Sequence, residues 1–206
     1  MDAESTLVEI AKNIRHCQKC DLAHSRKNAV PGTGPANAEI MLIGEGPGFH
    51  ENEQGLPFVG ASGKFLTQLL NDGGLPRDTV FITNVVKCRP PGNRDPQEQE
   101  LKACGAFLDK QIEAINPLII ITLGRFSMAR YFENARISKI HGQAVWREGR
   151  LIVPMYHPAA ALHQPKLRSV IMHDFAQLKN LISAEKERLA TLGENKKDSP
   201  SQLSFF

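Results

Sequence analysis

The sequence has no run of about 18 apolar residues, and so no segment that reads as a membrane-spanning helix. It has no strong charge of either sign. Its 25 Lys and Arg stand against 22 Asp and Glu, a formal net charge of +3. A protein that held nucleic acid by bulk charge would be far more basic, so any phosphate contact here must be placed locally. The start, Met1-Asp-Ala-Glu-Ser, lacks the positive charge and apolar stretch of a signal peptide. These absences predict a cytoplasmic protein. There is no internal repeat. What remains is ordinary: 206 residues, 41% hydrophobic and 23% charged, enough for one sizeable core and too few for two domains with a linker.

Cysteine is scarce and unevenly spaced. Cys17-Gln-Lys-Cys20 is a C-x2-C pair, while Cys88 and Cys104 stand alone with fifteen residues between them. In a reducing compartment, metal binding is favoured over disulfides. A zinc ribbon would show a second C-x2-C, which is missing. Four thiolates suit either tetrahedral zinc or an iron–sulfur cluster, and the spacing does not separate the two. Ordinary buried cysteines are the alternative for Cys88 and Cys104. A glycine-rich Gly32-Thr-Gly-Pro35 lacks the third glycine of a dinucleotide fingerprint and precedes a strand instead of following one, so it reads as a turn.

Four short apolar runs read as strands buried on both faces of a parallel sheet: Glu39–Ile43, Val80–Asn84, Leu118–Leu123 and Leu151–Met155. Helical spacing fills the intervals at Ser62–Asn71, Glu98–Ile115, Phe126–Tyr131 and Val170–Glu187. The alternation predicts an α/β fold, a three-layer α/β/α sandwich around a mostly parallel four-stranded sheet. Around His141 the pattern changes to a short antiparallel excursion. Residues 1–189 form the single expected domain. Residues 190–206 read as a flexible tail, because their polar composition cannot bury a core.

In open parallel sheets, ligands bind beyond the carboxyl ends of the strands. There the sequence places Gly44-Glu45-Gly46-Pro-Gly48, then Asn84, then Gly124, then His157. Each has a plain alternative: Glu45 as a first-turn acid, Asn84 as a turn residue, His157 as a structural histidine, Phe58 as core. Gathered at successive strand ends, an acid, an amide and an imidazole suit a planar, hydrogen-bonding ligand.

Together, Gly44-Glu-Gly-Pro-Gly48, Gly55-Leu-Pro-Phe-Val-Gly60, Thr83-Asn-Val-Val-Lys-Cys88-Arg-Pro-Pro and Tyr156-His-Pro-Ala-Ala-Ala-Leu162 resemble the iron–sulfur uracil-DNA glycosylases, family 4 of their superfamily. The resemblance runs from about Cys17 to Leu181. It implies excision of uracil from DNA in base excision repair. It implies a structural [4Fe-4S] cluster on Cys17, Cys20, Cys88 and Cys104. Phe58 would stack on the flipped base, Asn84 read its edge and His157 approach its O2. Gly44, Glu45 and Gly46 would line the pocket, with Glu51 near C5. Glu45 and His157 are the catalytic candidates. Where the family commonly has Ala and Arg, this chain has Gly46 and Leu56. Lys139-Ile-His-Gly142 lacks the Arg-rich insertion of a branch that traps its product, so no covalent trapping is expected.

Lys87, Arg89, Arg94, Lys166 and Arg168 lie next to these motifs and are the expected DNA backbone contacts. Leu162–Leu167 offers an apolar wedge. Gln202-Leu-Ser-Phe-Phe206 resembles a sliding-clamp-binding peptide. One DNA site calls for a monomer.

Overall fold

The computed structural model describes residues 2–197. In chain order its elements are α1 (Ala3–Arg15), α2 (Leu22–Ser25), β1 (Ile40–Gly44), α3 (Phe49–Gln54), α4 (Ala61–Asp72), β2 (Phe81–Asn84), α5 (Glu98–Ile115), β3 (Ile119–Leu123), α6 (Arg125–Met128), α7 (Ile137–Ile140), β4 (Val145–Arg147), β5 (Arg150–Met155), α8 (Ala160–His163) and α9 (Lys166–Lys197).

The sheet order is β2-β1-β3-β5-β4. Pairings from β2 to β5 are parallel, and β4 runs antiparallel to β5. The sheet thus has five strands where the sequence predicted four. The extra strand comes from the excursion after His141. Glu148 and Gly149 both take positive φ, 51° and 74°, the geometry of a tight hairpin turn, and this folds Val145–Arg147 back onto β5.

The central strands are apolar along their whole length because both faces are covered. Ile40, Leu42, Ile119 and Ile121 face α4 and α9, where Leu66, Leu69, Phe175 and Leu178 are buried. Met41, Ile43 and Ile120 face the opposite way, against Leu108 and Ile112 of α5. The α4 and α5 helices fall where their spacing put them. The last helix begins earlier and its backbone runs beyond Glu187 to Lys197. Residues 198–206, with the clamp-like peptide Gln202–Phe206, lie outside the described residues. Among the described residues no helix is long and apolar enough to cross a membrane.

Helix α1 adds to the elements expected from the sequence, although its signals are present there. Asp2 caps it, accepting from the Ser5 N–H at 2.8 Å. Ile10 and Ile14, four apart, bury a third, smaller cluster with Leu22, Val86, Cys88 and Cys104. That cluster carries the cysteines to the end of β2.

A strand-end pocket beside a four-cysteine site

At the carboxyl ends of the parallel strands lies a cleft of about 490 Å³, lined by Glu45, Gly46, Glu51, Phe58, Asn84, Asp95 and His157, among others. The strand-end residues singled out in the sequence are therefore brought together. β1 supplies Gly44 and leads to Glu45 and Gly46. β2 ends on Asn84, in register with Gly44. β5 runs on to His157.

Phe58 is buried yet has φ of 53°, a conformation that costs an aromatic residue free energy and persists only where neighbours impose it. Two glycines leave room for it. A Cβ on Gly44 would come within 2.7 Å of the Phe58 ring and 2.4 Å of Asn84 Oδ1. A Cβ on Gly63 would come within 2.0 Å of the Phe58 carbonyl oxygen. Two ionic side chains pin the loop on either side. Glu51 Oε1 accepts from the Val59 and Gly60 N–H groups at 2.8 and 2.9 Å, and its Oε2 accepts from Gly48 N–H at 3.1 Å. Arg77 donates to the Pro57 carbonyl at 2.7 Å. Both Glu51 oxygens are thus engaged with backbone. The side chain shapes the pocket by holding its walls.

The Phe58 ring lies near-parallel to His157, centroids 5.6 Å apart and planes 27° apart. Burial pulls the His157 imidazole down to about 4, with the Glu51 carboxylate offsetting only part of the shift. The ring is therefore neutral at ordinary pH. Its Nδ1 accepts from the Ala159 N–H at 3.1 Å, which places the remaining proton on Nε2. Asn84 is 1% exposed, and its Oδ1 has no hydrogen-bond partner among the described residues. An unpaired buried acceptor costs about 1–3 kcal/mol, so it marks a place where a donor is expected to arrive. Glu45 is half-buried. Burial, and then the Asp95 carboxylate, raise its affinity for a proton, while Arg125 works the other way.

Lys87 is not where the sequence placed it. It is 1% exposed and makes no part of a DNA-facing surface. Its Nζ donates to Thr83 Oγ1 at 2.5 Å, Gln111 Oε1 at 2.7 Å and the Asn84 carbonyl at 2.8 Å. The three acceptors satisfy all three ammonium protons. The side chain turns inward because β2 ends one turn earlier and leaves those acceptors under the sheet. Burial pulls the Lys87 ammonium down to about 7. Arg94 lines the cleft but grips the buried Glu100 with two bonds, at 2.6 and 2.9 Å. Arg89 bonds Asn93 and lies over Phe49. Lys166 and Arg168 are exposed at the start of α9, the Arg168 guanidinium stacked over Phe65.

Cys17, Cys20, Cys88 and Cys104 all line one small cavity with Arg26 and the Lys87 backbone. They are free thiols. Burial raises Cys20 and Cys88 and pushes Cys104 up to about 11. Donors nonetheless face the sulfurs. Arg26 donates to Cys88 Sγ at 3.2 Å, and Lys87 N–H to Cys104 Sγ at 3.3 Å. Among the described residues no three Cys, His, Asp or Glu side chains close on one point as ligands of a single ion do.

Sequence reasoning misses Arg26, Arg77 and the Asp95–Arg125 ion pair. Their roles depend on contacts across the fold, and no local pattern signals them. A separate cleft of about 790 Å³ lies between α1 and residues 31–37. The buried Gln111 side chain in its wall is already paired with Lys87 and Pro31.

A Gly-lined pocket at the ends of a parallel sheet, with a free amide acceptor, an aromatic platform and a neutral imidazole donor, suits a planar, hydrogen-bonding ligand. The profile of the uracil DNA glycosylase superfamily matches residues 31–179. A type-4 uracil-DNA glycosylase of Saccharolobus solfataricus is 50% identical over 186 residues, covering 85% of this chain and 86% of its own. Those of Archaeoglobus fulgidus and Thermotoga maritima are 42% and 38% identical, each covered over 97% of its length and covering 89% and 88% of this chain. The chain belongs to the uracil DNA glycosylase superfamily, and within it to the type-4 family.

Proposed function

We propose that the protein flips uracil out of DNA and hydrolyses its N-glycosidic bond. The observation that carries this is the unpaired Asn84 Oδ1, 1% exposed at the wall of the cleft. It suits the N3–H of uracil, while the amide N–H can donate to O4. Cytosine offers an acceptor at N3 and a donor at C4, the reverse pattern, and would leave the amide unsatisfied.

Flipping costs a few kcal/mol. Stacking on Phe58 returns about 1–3 kcal/mol of it. As the bond to the sugar breaks, its electron pair departs with uracil and negative charge gathers at O2. The Nε2–H of His157 is the donor for that oxygen, and the Nδ1 bond from Ala159 keeps the proton on the useful side. A neutral donor needs no proton transfer, and one such donor is worth roughly 2.7–4 kcal/mol. Water then adds to the sugar carbon and gives up a proton. Glu45, in the pocket wall and biased towards holding a proton, suits receiving that proton, and before it does so its carboxylate faces the positive sugar. Gly44 and Gly46 bring backbone close to the base, and Glu51 holds the walls on its C5 side. Lys166 and Arg168 are the proposed phosphate contacts, with the exposed Leu162 beside them.

Cys17, Cys20, Cys88 and Cys104 are proposed to hold a [4Fe-4S] cluster. The four-thiol donor set and the N–H donors aimed at sulfur fit it. Its contribution is structural, since hydrolysis of a glycosidic bond transfers no electrons. A monomer is proposed, since one DNA site needs one subunit. Gln202–Phe206 is proposed to bind a sliding clamp on its sequence likeness; loss of clamp binding on deleting those five residues is the expected result.

The test is base release from an oligonucleotide with one uracil, scored by alkaline strand cleavage beside a cytosine control. Uracil release without cytosine release is expected. Failure to release uracil from either single- or double-stranded DNA would sink the reading.

A further inference from the structure

Among the described residues, Lys87 is a fully buried cation that the proposed chemistry does not use. Every polar group it has is engaged, and none of its partners is a carboxylate. Its ammonium holds the carbonyl of Asn84, the residue whose side chain faces the cleft. It also holds Thr83 Oγ1 and Gln111 Oε1, and both those side chains donate in turn to the Pro31 carbonyl, at 2.9 and 2.8 Å. Its backbone N–H donates to Cys104 Sγ, and its carbonyl accepts from Val30 N–H at 2.7 Å. One residue therefore touches the four-cysteine cavity with its main chain and, with its side chain, the backbone of a residue that lines the cleft.

The geometry matters because β2 stops at Asn84. Beyond it, Val85 and Val86 N–H bond the Gly44 and Glu45 carbonyls, and regular pairing then ends. Among the described residues, the Lys87 ammonium is the side-chain group that fixes the Asn84 peptide from below. An amide that must aim one oxygen at one N–H tolerates little rotation of its backbone.

We propose that Lys87 is a positioning residue: it holds Asn84 in its uracil-reading orientation and ties that orientation to the four-cysteine site. The proposal rests on the uracil reading of the pocket. It predicts a defect confined to the contact at N3, distinct from loss of stacking or folding.

The test uses the full chain and Lys87→Met. Two single-stranded oligonucleotides are compared, one carrying 2′-fluoro-2′-deoxyuridine, which resists cleavage, the other its 3-methyl counterpart. Visible absorbance per chain reports the cysteine-bound group. Wild type should bind the uracil form more tightly. In Lys87→Met that ratio should shrink about tenfold, the worth of one net hydrogen bond, with affinity for the 3-methyl form and the absorbance retained. An unchanged ratio, or equal loss of both affinities, overturns the proposal. Should Lys87→Met not fold, Thr83→Val removes one acceptor of the same ammonium at similar volume. A reduced ratio there supports the proposal and an unchanged one overturns it. If wild type itself shows no preference, the uracil reading fails first, and the role of Lys87 with it.

Discussion

The base pocket and the four-cysteine site share the segment from Asn84 to Cys88, yet the protein supplies very different shares of each. At the pocket, the strained Phe58 is held by Glu51, Arg77, Gly44 and Gly63, and His157 by the Ala159 N–H. One acceptor, Asn84 Oδ1, is left for the ligand. The polypeptide alone pre-organises this site, as catalysis by fixed dipoles requires. At the cysteine site, burial disfavours the thiolates at Cys20, Cys88 and Cys104. What holds that region together is a small cluster between α1 and α5. With the proposed cluster on these four cysteines, its loss should be felt as stability and loss of a pocket residue as rate.

The largest effect expected from this contrast is on the cysteine side. Cys88→Ser should abolish the visible absorbance of the bound group. A group present at a thousand times its Kd contributes about 4 kcal/mol, so Tm should fall by roughly ten degrees. Thermal melting followed by far-ultraviolet circular dichroism checks it. An unchanged Tm together with vanished absorbance would mean that the polypeptide holds this corner unaided.

On the pocket side, His157→Ala should lower the single-turnover rate of uracil release by roughly 10²–10³ and leave the absorbance intact. The pH profile sharpens the assignment. Burial holds the folded pKa of His157 at about 4, below its ordinary 6.5. The imidazole stays a neutral Nε2–H donor as pH falls through 6.5, and the rate should show no His157 step there. Protonation of the unfolded chain near 6.5 and of the folded one near 4 means that stability falls through that window as pH is lowered. A rate step near 6.5 that vanishes in His157→Ala would reverse the assignment.

Most of this pocket is legible in the sequence because it is built at strand ends. Four apolar runs fix where the strands stop, and the residues just beyond them, Glu45, Asn84 and His157, must meet if the sheet is parallel. Lys87 is misplaced by sequence reasoning for a physical reason. A lysine followed by Cys88 and Arg89 looks solvated until one knows that Thr83, Asn84 and Gln111 supply three acceptors beneath it. The antiparallel excursion before the last strand is legible, but that Val145–Arg147 completes it as a fifth strand depends on a two-residue positive-φ turn at Glu148-Gly149, and Glu is an unusual residue for it. Helix α1 carries its own signals in Asp2, Ile10 and Ile14, but they are weaker than the strand pattern that dominates the chain.

A smaller effect tests whether Glu51 belongs to the pre-organised side. Glu51→Gln leaves an acceptor for Val59 and Gly60 but sets its amide donor against the Gly48 N–H, or the reverse. Breaking a buried charge-assisted bond costs about 1–3 kcal/mol, so Tm should drop by several degrees. The affinity for the uncleavable uracil oligonucleotide should fall with it, because Phe58 loses its clamp, while the visible absorbance stays. Loss of absorbance without loss of affinity would place Glu51 on the other side of the comparison.

The smallest effect distinguishes cations that face DNA from those used by the fold. Lys166 and Arg168 are exposed beside the pocket, whereas Lys87 is buried and Arg94 is gripped by Glu100. Removing a single phosphate-binding cation should reduce the slope of log affinity against log salt by about one. Replacing Lys166 and Arg168 together by Ala should therefore lower the slope by about two and weaken uracil- and thymine-containing oligonucleotides alike. Lys87→Met should leave the slope unchanged while altering the preference for uracil. If instead Lys87→Met flattened the salt dependence, its ammonium would have to reach the DNA, and the inward network of Thr83, Asn84 and Gln111 would not describe the DNA-bound protein.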